Sequence, residues 1–315
     1  MTTALIFPGQ GSQATGMGKA LAAEFAVARD VFAQVDDELE QNLSALMFDG
    51  PEAELTLTSN AQPALMAVSI AVVRVLESEA GLNVARDIAF VAGHSLGEYS
   101  ALVAAGSLDI ATAARLLRLR GDAMQRAVAP GEGAMAALLG LGEGLAAEIA
   151  SQAGQETGGV CEIANDNGGG QIVVAGTSAA IARAMELAKA RGAKRAIALQ
   201  VSAPFHCSLM RPAAAEMKAA FGEIRLRALQ VPLVANVTAS VVTDPAQITA
   251  LLVRQVTATV RWRESVTFMA GQGVTQFVEI GSGRVLAGLV KRIAPAAATL
   301  SVGTPADIPA FKNRA

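Results

Sequence analysis

The stretch DIAFVAGHSLGEYSALVAAG, residues 87–106, decides the class of fold. Its first part, DIAFVAG, is a short apolar run that ends at a glycine, which is typical of a buried strand. HSLGEYSALVAAG follows directly and has the pattern of a helix. A strand, a tight turn and a helix in succession form the repeating unit of a parallel sheet, so the stretch predicts an α/β protein.

The turn within this stretch contains the motif GxSxG, formed by Gly93, Ser95 and Gly97. Between a strand and a helix this motif is typical of a nucleophile elbow, in which the serine hydroxyl projects from a sharp turn and the following amides point toward a developing oxyanion. A plain turn remains an alternative, because a chain with 30 glycines can contain the motif by chance. The flanking strand and helix favour the functional interpretation.

A serine hydroxyl becomes a good nucleophile only when a base takes its proton, and histidine is the usual base. The chain contains two histidines, His94 and His206. His94 is adjacent to Ser95, and neighbouring side chains on a strand or turn generally point apart, so we expect it to support the elbow. His206 lies between a predicted strand and a predicted helix and is the remaining candidate, although a lone histidine is more often structural.

Arg120 interrupts the apolar face of a helix predicted over residues 110–128. It falls about 60° from Leu117 on the helical wheel, so its charge should be buried and needs a partner. Either an internal carboxylate pairs with it, or it binds the carboxylate of a ligand. A planar guanidinium holds a carboxylate through two parallel hydrogen bonds, and the second alternative therefore fits a half-ester such as malonyl.

Residues 130–200 have a different pattern from the chain on either side. Strands and helices are predicted there in the order βαββαβ, which is the ferredoxin-like pattern, with NDNGGG at 165–170 as the hairpin turn. We therefore expect a small ferredoxin-like domain at 130–200, inserted into a larger domain.

The large domain is predicted to be discontinuous, with residues 1–129 and 201–315 on either side of the insert. Its predicted strands include ALIF at 4–7, PLVANVT at 232–238 and QFVEIG at 276–281. We expect the last two to join the same parallel sheet as the first. The predicted fold class is thus α/β, with a large α/β-hydrolase-like domain and the small βαββαβ domain.

Composition and charge exclude several classes of function. A net charge of −3 provides no global basic field, which argues against nucleic acid and anionic membranes as partners. Cys161, Cys207 and the two histidines have no zinc-ligand spacing, so we expect no metal.

The first residues lack the basic start of a secretory signal, which predicts a cytoplasmic protein. The apolar span 54–74 is interrupted by polar residues, and we interpret it as a buried helix.

Several blocks in order resemble the malonyl-CoA:acyl-carrier-protein transacylases and the acyltransferase domains of fatty acid and polyketide synthases. The resemblance covers nearly the whole chain. The blocks are FPGQGSQATGMG (7–18), GHSLGEYSALVAAG (93–106), LRLRGDAMQRAV (117–128), GAMAALLGL (133–141), QIVVAGT (171–177), APFHCSLM (203–210), LVRQV (252–256) and FVEIGSGRVLAGLVKRI (277–293).

The resemblance implies roles for the residues already singled out and for two more. It makes Ser95 the acylated nucleophile, His206 its general base, and Arg120 the residue that binds the malonyl carboxylate. Gln10, in the PGQGSQ loop, and Leu96 would supply the amides of the oxyanion hole.

Three further residues receive roles from the same resemblance. The main-chain carbonyl of Gln255 would orient His206 in place of a triad aspartate, and Asn165 would line the cleft from the small domain. Phe205 and Leu96 match the malonyl-selective pattern, in which a bulky ring leaves little room for the 2-methyl group of methylmalonyl. The chain departs from many bacterial members at one of these positions, since they carry Ser where it has Phe205.

The implied reaction is a ping-pong transfer of malonyl from coenzyme A to the phosphopantetheine thiol of acyl carrier protein, through a malonyl-Ser95 ester. It requires no cofactor, and we expect a monomer whose partners are malonyl-CoA and the carrier protein. Three other functions remain as alternatives: a serine esterase or thioesterase, a nucleotide-binding protein suggested by GSGRVL at 281–286, and a non-catalytic carrier-binding module.

Overall fold

The computed structural model describes residues 1–313. In that range the strands are β1 (Thr3–Phe7), β2 (Phe90–Gly93), β3 (Gly133–Leu139), β4 (Cys161–Asp166), β5 (Gln171–Thr177), β6 (Arg195–Ala198), β7 (Leu233–Ala235), β8 (Ser240–Val242), β9 (Gln276–Ile280) and β10 (Ala298–Val302). The α-helices are α1 (Lys19–Glu24), α2 (Ala26–Glu38), α3 (Leu43–Asp49), α4 (Glu52–Leu55), α5 (Thr58–Ala80), α6 (Val84–Asp87), α7 (Gly97–Ala104), α8 (Ile110–Arg126), α9 (Glu143–Thr157), α10 (Ser178–Ala190), α11 (Arg211–Phe221), α12 (Pro245–Gln255), α13 (Trp262–Gly271), α14 (Val285–Ile293) and α15 (Ile308–Lys312).

In the described part of the chain, six strands form the larger sheet, in the order β10-β9-β1-β2-β7-β8. Its pairs are parallel except for β7 with β8. The prediction that the C-terminal strands join the first sheet is confirmed, because β9 pairs directly with β1 and β7 pairs with β2. The sheet is therefore completed by chain from both sides of the segment 130–200.

Strand β1 lies inside this sheet and is buried on both faces. Its alternate residues project to opposite sides, so Leu5 and Phe7 pack in one apolar cluster while Ala4 and Ile6 pack in another. An uninterrupted apolar run suits this position, since neither face meets water. Phe7 pairs with Gly93 at the carboxyl ends of β1 and β2, so the loops that leave these two strands start side by side.

Helix α5 is the long apolar helix expected over residues 54–74, although it begins later, at Thr58. It is long and apolar enough to cross a membrane, but 89% of its most apolar window is buried inside the protein. It packs against α2, α7 and α8. The helix therefore serves as part of the core.

The smaller sheet is antiparallel, with the strand order β4-β5-β3-β6. Its strands and the helices α9 and α10 follow each other along the chain as βαββαβ, as predicted. Apolar residues of both helices and of β3 and β5 form a separate cluster that includes Leu138, Ile149, Val174 and Ile181. The predicted turn at 165–170 joins β4 to β5, and Gly168, Gly169 and Gly170 all have positive φ there.

Three predicted strands are shorter in the structure. RAIALQV ends as a strand at Ala198, and residues 199–201 leave the sheet and line the central cavity. PLVANVT contributes only Leu233–Ala235, because the chain turns back into β8 directly afterwards. DIAFVAG begins as a strand only at Phe90, since Asp87 belongs to the short helix α6.

Candidate active site

Ser95 occupies a sharp turn between β2 and α7, with φ of 55°. The two glycines of the motif make the turn sterically feasible. A Cβ on Gly93 would lie 1.9 Å from the carbonyl carbon of Gly97, and a Cβ on Gly97 would lie 2.2 Å from the backbone oxygen of Phe7. Only glycine fits at either position, which makes a chance occurrence of GxSxG untenable as an explanation and supports the elbow.

The Ser95 hydroxyl lies 2.8 Å from Nε2 of His206, and Nδ1 of His206 lies 2.8 Å from the backbone oxygen of Gln255. A carbonyl oxygen can only accept, so Nδ1 carries the proton and Nε2 presents its lone pair to the serine. Burial, with the nearby Arg120 charge, lowers the pKa of His206 to about 3. The imidazole is therefore neutral at neutral pH and ready to accept the serine proton.

His94 does not contact the serine hydroxyl through its ring. Its Nε2 lies 2.9 Å from Oδ1 of Asn167, and its ring lies beside Trp262 with centroids 5.7 Å apart. Asn167 belongs to the turn between β4 and β5, so His94 links the elbow to the small sheet. This agrees with the expectation that His94 supports the elbow.

Arg120 projects from α8 into the site with only 1% of its surface exposed. Nη1 donates to Oε1 of Gln62 at 2.7 Å, and Nη2 donates to Oε1 of Gln255 at 2.9 Å and to the Ser95 hydroxyl at 3.1 Å. Within residues 1–313 no carboxylate lies within ion-pair distance of it, and its Nε has no acceptor. Among the described residues the structure therefore shows no direct internal ion pair, which was one of the two alternatives raised by the sequence, and the nearest acid, Glu98, acts on Arg120 only without direct contact.

The side chain of Gln255 lies under the elbow. Its Nε2 is 3.0 Å from the backbone oxygen of Ser95, 2.8 Å from Oε2 of Glu98 and 3.2 Å from Oδ1 of Asn236. Asn236 also accepts from the Ser95 amide at 2.8 Å and donates to the Gly93 carbonyl at 2.6 Å. These contacts stabilise the turn at Ser95, whose backbone has a positive φ.

Sequence reasoning missed three of these polar residues, Gln62, Glu98 and Asn236. Each is fully or almost fully buried, and each interrupts an apolar stretch of α5, of α7 or of the chain after β7. A buried polar residue within an apolar run needs a hydrogen-bonding partner, and that signal could have identified them. Their common partners became apparent only in the folded chain.

A cavity of about 300 Å³ opens over Ser95, His206 and Arg120. The predicted residues Gln10, Leu96, Asn165 and Phe205 line it as well, and apolar side chains such as Met124, Met135, Leu199 and Val201 complete its walls. Asn165 comes from β4 of the small sheet and Gln10 from the loop after β1, so the cavity lies between the two sheets. A mostly apolar cavity with a few convergent polar groups is typical of a small-molecule site.

The backbone amides of Gln10 and Leu96 donate to no other group of the described chain. Gln10 is fixed through its side chain, which accepts from Thr58 Oγ1 at 2.9 Å. Leu96 directly precedes the first turn of α7, where the positive end of the helix dipole lies. Two free amides on residues that flank the serine fit the requirement for stabilising an oxyanion.

Among residues 1–313, one group of carboxylates has the spacing of a metal site, namely Glu143, Asp166 and Glu264. Arginines already neutralise it: Arg263 donates to Asp166 at 2.6 Å and to Glu143 at 2.8 Å, and Arg261 donates to Glu264 at 2.8 Å. These ion pairs account for the cluster as part of the contact between the two sheets.

Residues 4–302 match the family model described as the acyl transferase domain. The chain belongs to this family and is an acyltransferase. The match covers both sheets and every residue of the site described above.

The chain is similar to enzymes named malonyl CoA-acyl carrier protein transacylase. It is 46% identical to that of Bacillus subtilis strain 168 over 305 residues, covering 97% of this chain and 94% of that protein. It is 43% identical to that of Escherichia coli K12 over 307 residues, covering 98% and 97%.

Solved structures agree in fold. The acyl-carrier-protein S-malonyltransferase of Bartonella henselae superposes with a TM-score of 0.96 at 55% identity, covering 99% of this chain and 98% of that one. A malonyl-transacylase solved in complex with its type II PKS acyl-carrier protein superposes with a TM-score of 0.96 at 42% identity, over 100% of both chains.

Proposed function

We propose that this acyltransferase moves a malonyl group from malonyl-CoA to the phosphopantetheine thiol of acyl carrier protein, through an ester on Ser95. The observation that carries the proposal is the position of the Ser95 hydroxyl, 2.8 Å from Nε2 of His206 and 3.1 Å from Nη2 of Arg120. A base and a carboxylate-binding cation thus meet at one nucleophile. The names of the relatives point to the same donor and acceptor.

In the first half-reaction, His206 takes the serine proton as Oγ attacks the thioester carbon. The amides of Gln10 and Leu96 stabilise the oxyanion that forms. The carbon–sulfur bond then breaks, the imidazolium gives its proton to the departing sulfur, and CoA leaves as a thiol. The Gln255 carbonyl, 2.8 Å from Nδ1, keeps the ring in the tautomer that both proton transfers need and stabilises the transient charge.

In the second half-reaction the pantetheine thiol of the carrier protein gives its proton to His206 and attacks the ester carbon. The same two amides stabilise the second oxyanion. The bond to Oγ breaks, the proton returns to Ser95, and the malonyl group leaves as a thioester of the carrier protein. The mechanism uses side chains and backbone amides alone, and we propose that no cofactor takes part.

Arg120 selects malonyl because of its distance from the nucleophile. In a malonyl thioester only one methylene separates the carboxylate from the carbon under attack, so the cation must lie next to the serine, as Arg120 does. Among the described residues Nη1 donates to Gln62 alone and keeps one hydrogen, and a carboxylate that replaces the serine hydroxyl on Nη2 would be held by both nitrogens in the bidentate manner. Phe205 and Leu96 line the same cavity and restrict space at the 2-position, and Asn165 lines it from the small sheet.

We propose the predicted architecture as the frame for this reaction. Residues 1–129 and 201–315 form an α/β-hydrolase-like domain, and residues 130–200 form a ferredoxin-like domain. The strand order and the antiparallel pairing of the small sheet support the second assignment. The cavity between the two sheets would then receive the pantetheine arm.

Carrier proteins of this kind are acidic, so a basic surface should receive them. We propose two candidate clusters: cluster one is Lys189, Arg191, Lys194 and Arg195, and cluster two is Arg284, Lys291 and Arg292. Arg191 pairs with Glu148 and Arg284 lies 3.9 Å from Asp307, so neither cluster is wholly free. Reversing the charges of one cluster at a time should raise the apparent KM for carrier protein. A cluster whose reversal leaves that KM unchanged is not the docking surface.

We further propose that the enzyme acts as a monomer in the cytoplasm, as part of fatty acid or polyketide synthesis. Cys161 and Cys207 are free and buried, which is compatible with a reducing compartment. Burial raises the pKa of each thiol to about 12, so neither forms a reactive thiolate at neutral pH.

A serine hydrolase would share Ser95 and His206, and it is the main alternative. It would have no need of an unpaired arginine in contact with the nucleophile. Burying such a cation is costly unless a ligand uses it, so Arg120 favours transfer of an acidic acyl group.

The decisive experiment is intact-mass spectrometry after brief exposure to malonyl-CoA, followed by carrier protein with its pantetheine thiol. The wild type should gain a malonyl adduct that then passes to the carrier, and Ser95→Ala should gain none. Arg120→Ala should lose the preference for malonyl over acetyl, while Arg115→Ala, an exposed arginine on the same helix, should keep it. An adduct that decays equally fast without carrier protein would make the enzyme a hydrolase.

A further inference from the structure

Glu98 is a buried carboxylic acid one helical turn beyond Ser95, with 1% of its surface exposed. Its Oε2 accepts from Nε2 of Gln255 at 2.8 Å and from the Asn236 amide at 3.2 Å. Among the described residues no cation lies within ion-pair distance of it. A buried acid without a directly paired cation is costly, and the elbow needs only the glycines and the serine at that turn.

Gln255 connects this acid to the cation of the site. Its Nε2 donates to Glu98, and its Oε1 accepts from Nη2 of Arg120 at 2.9 Å. The amide thus turns its positive end to the acid and its negative end to the guanidinium. Glu98 and Arg120 are thus linked through one amide group without direct contact, in surroundings where such chains of hydrogen bonds are strong.

We propose that Glu98 is a positioning residue that balances Arg120 through the Gln255 amide before substrate binds, and that takes up a proton when a ligand carboxylate binds Arg120. The inference rests on the proposed function, in which Arg120 receives the malonyl carboxylate. Arg120 lines the cavity, and one hydrogen of its Nη1 has no acceptor in the described chain, so a second anion can bind the guanidinium without breaking the link to Gln255.

Proton uptake follows from electrostatics. Two carboxylates that share one guanidinium repel each other, and the more deeply buried one is protonated first. Burial already raises the pKa of Glu98 to about 7, against the lowering effects of Asn236, Gln255 and Arg120. A bound malonyl carboxylate raises that pKa further. The complex therefore holds more protons than the free enzyme near neutral pH, and affinity for malonyl falls as pH rises through that range.

Within the described part of the chain, no other neighbour of Glu98 titrates in this range. The groups that act on it electrostatically are Arg120 from α8 and Tyr99 from its own helix, and burial raises the pKa of Tyr99 above the accessible range. The chain after β7 presents Asn236 and α12 presents Gln255, neither of which ionises, and Gln62 of α5 contacts Arg120 instead. His206, on the other side of Gln255, has its pKa lowered to about 3.

The test measures binding to the Ser95→Ala enzyme, which cannot be acylated, by calorimetry between pH 6 and pH 8. Malonyl-pantetheine and acetyl-pantetheine serve as probes, because they lack the titrating phosphates of CoA. If malonyl binding raises the pKa of Glu98 by about one further unit, the Kd for malonyl-pantetheine should rise about fivefold between pH 6 and pH 8. The Kd for acetyl-pantetheine, which has no carboxylate to place on Arg120, should not rise with pH in this way.

Adding Glu98→Gln keeps the shape of the side chain but removes the ionisation, and it should abolish the pH dependence for malonyl. The matched control is Glu279→Gln, a buried acid on β9 that accepts from the Leu286 and Ala287 amides and does not line the cavity. It should leave the fivefold rise intact. A pH dependence that persists in Glu98→Gln, or that is missing in the Ser95→Ala enzyme, would overturn the inference.

A second measurement covers the case in which Glu98→Gln does not fold. Repeating the Ser95→Ala titration near pH 7.5 in buffers of different ionisation enthalpy counts the protons taken up, and about half a proton per malonyl-pantetheine is expected. No uptake would overturn the inference. If malonyl-pantetheine binds no better than acetyl-pantetheine even at pH 6, the proposed function itself fails.

Discussion

Nη2 of Arg120 lies 3.1 Å from the hydroxyl oxygen of Ser95, so the buried cation of the site touches its nucleophile. Ser95 lies in the turn between β2 and α7, Arg120 lies on α8, and they meet at the carboxyl end of the large sheet. Under the proposed function, this contact would determine the length of the acyl group that can bind with its carboxylate on the arginine and its reacting carbon on the serine. It also lowers the cost of negative charge on Oγ during attack.

The length of the acyl chain should therefore matter. Succinyl thioesters have one more methylene between carboxylate and reacting carbon than malonyl thioesters, and cannot place both groups without strain. We expect kcat/KM for succinyl-CoA to be about 10- to 200-fold lower than for malonyl-CoA. Competition between the two donors in the transfer assay measures this ratio. Equal values would show that the arginine does not determine the length of the substrate.

Arg120→Lys should behave as a disruptive substitution despite keeping the charge. An ammonium group cannot hold a carboxylate bidentately and cannot also keep the bonds to Gln62 and Gln255. We expect kcat/KM for malonyl-CoA to fall about 10- to 100-fold, as for loss of a hydrogen bond to a charged group. Rates with acetyl-CoA serve as the control, and they should change far less.

The rate of serine acylation should be insensitive to acid over a wide range. Burial lowers the pKa of His206 to about 3, so the imidazole remains an acceptor at pH 5. A histidine with an ordinary pKa of about 6.5 would lose about 30-fold in rate at that pH. Rapid-quench measurement at saturating malonyl-CoA between pH 5 and pH 8 distinguishes the two. A fall centred near pH 6.5 would contradict the assignment of a buried, neutral base.

Phe205→Ser should widen the substrate range. The ring is almost fully buried in the wall of the cavity, next to His206. Removing it opens space at the 2-position, and one methyl group is worth about 1–3 kcal/mol in such discrimination. We expect the ratio of kcat/KM for malonyl-CoA to methylmalonyl-CoA to fall by about tenfold or more. An unchanged ratio would mean that other walls of the cavity exclude the methyl group.

Gly93→Ala should damage the fold of the elbow itself. The new Cβ would lie 1.9 Å from a backbone atom of Gly97, where no side chain can move aside. Overpacking usually costs roughly 1–3 kcal/mol, and we expect a loss in the free energy of unfolding at or above the upper end of that range. Chemical denaturation measures this loss. Gly142→Ala is the matched control, since nothing lies within 4 Å of its added Cβ and its φ is −77°.

Much of the fold could be predicted from local pattern. The apolar run ALIF, the turn NDNGGG and the apolar span that became α5 each contain enough information in a few residues to predict their structure. Boundaries were less accurate where tertiary contacts end an element. Residues 199–201 continue a strand-like sequence, yet they leave the small sheet to line the cavity, and no local signal marks that point.

The sequence by itself determined the candidates for the reactive groups, because it contains one serine in an elbow motif, two histidines and one arginine on an apolar helix face. It did not determine how these groups are held. Only the tertiary structure placed Glu98, Asn236 and Gln255 in one network, although up to 157 residues separate them along the chain. The physical reason is that the hydrogen-bond partners of buried polar groups depend on distance in space, and here the packing of α7, the chain after β7 and α12 sets that distance.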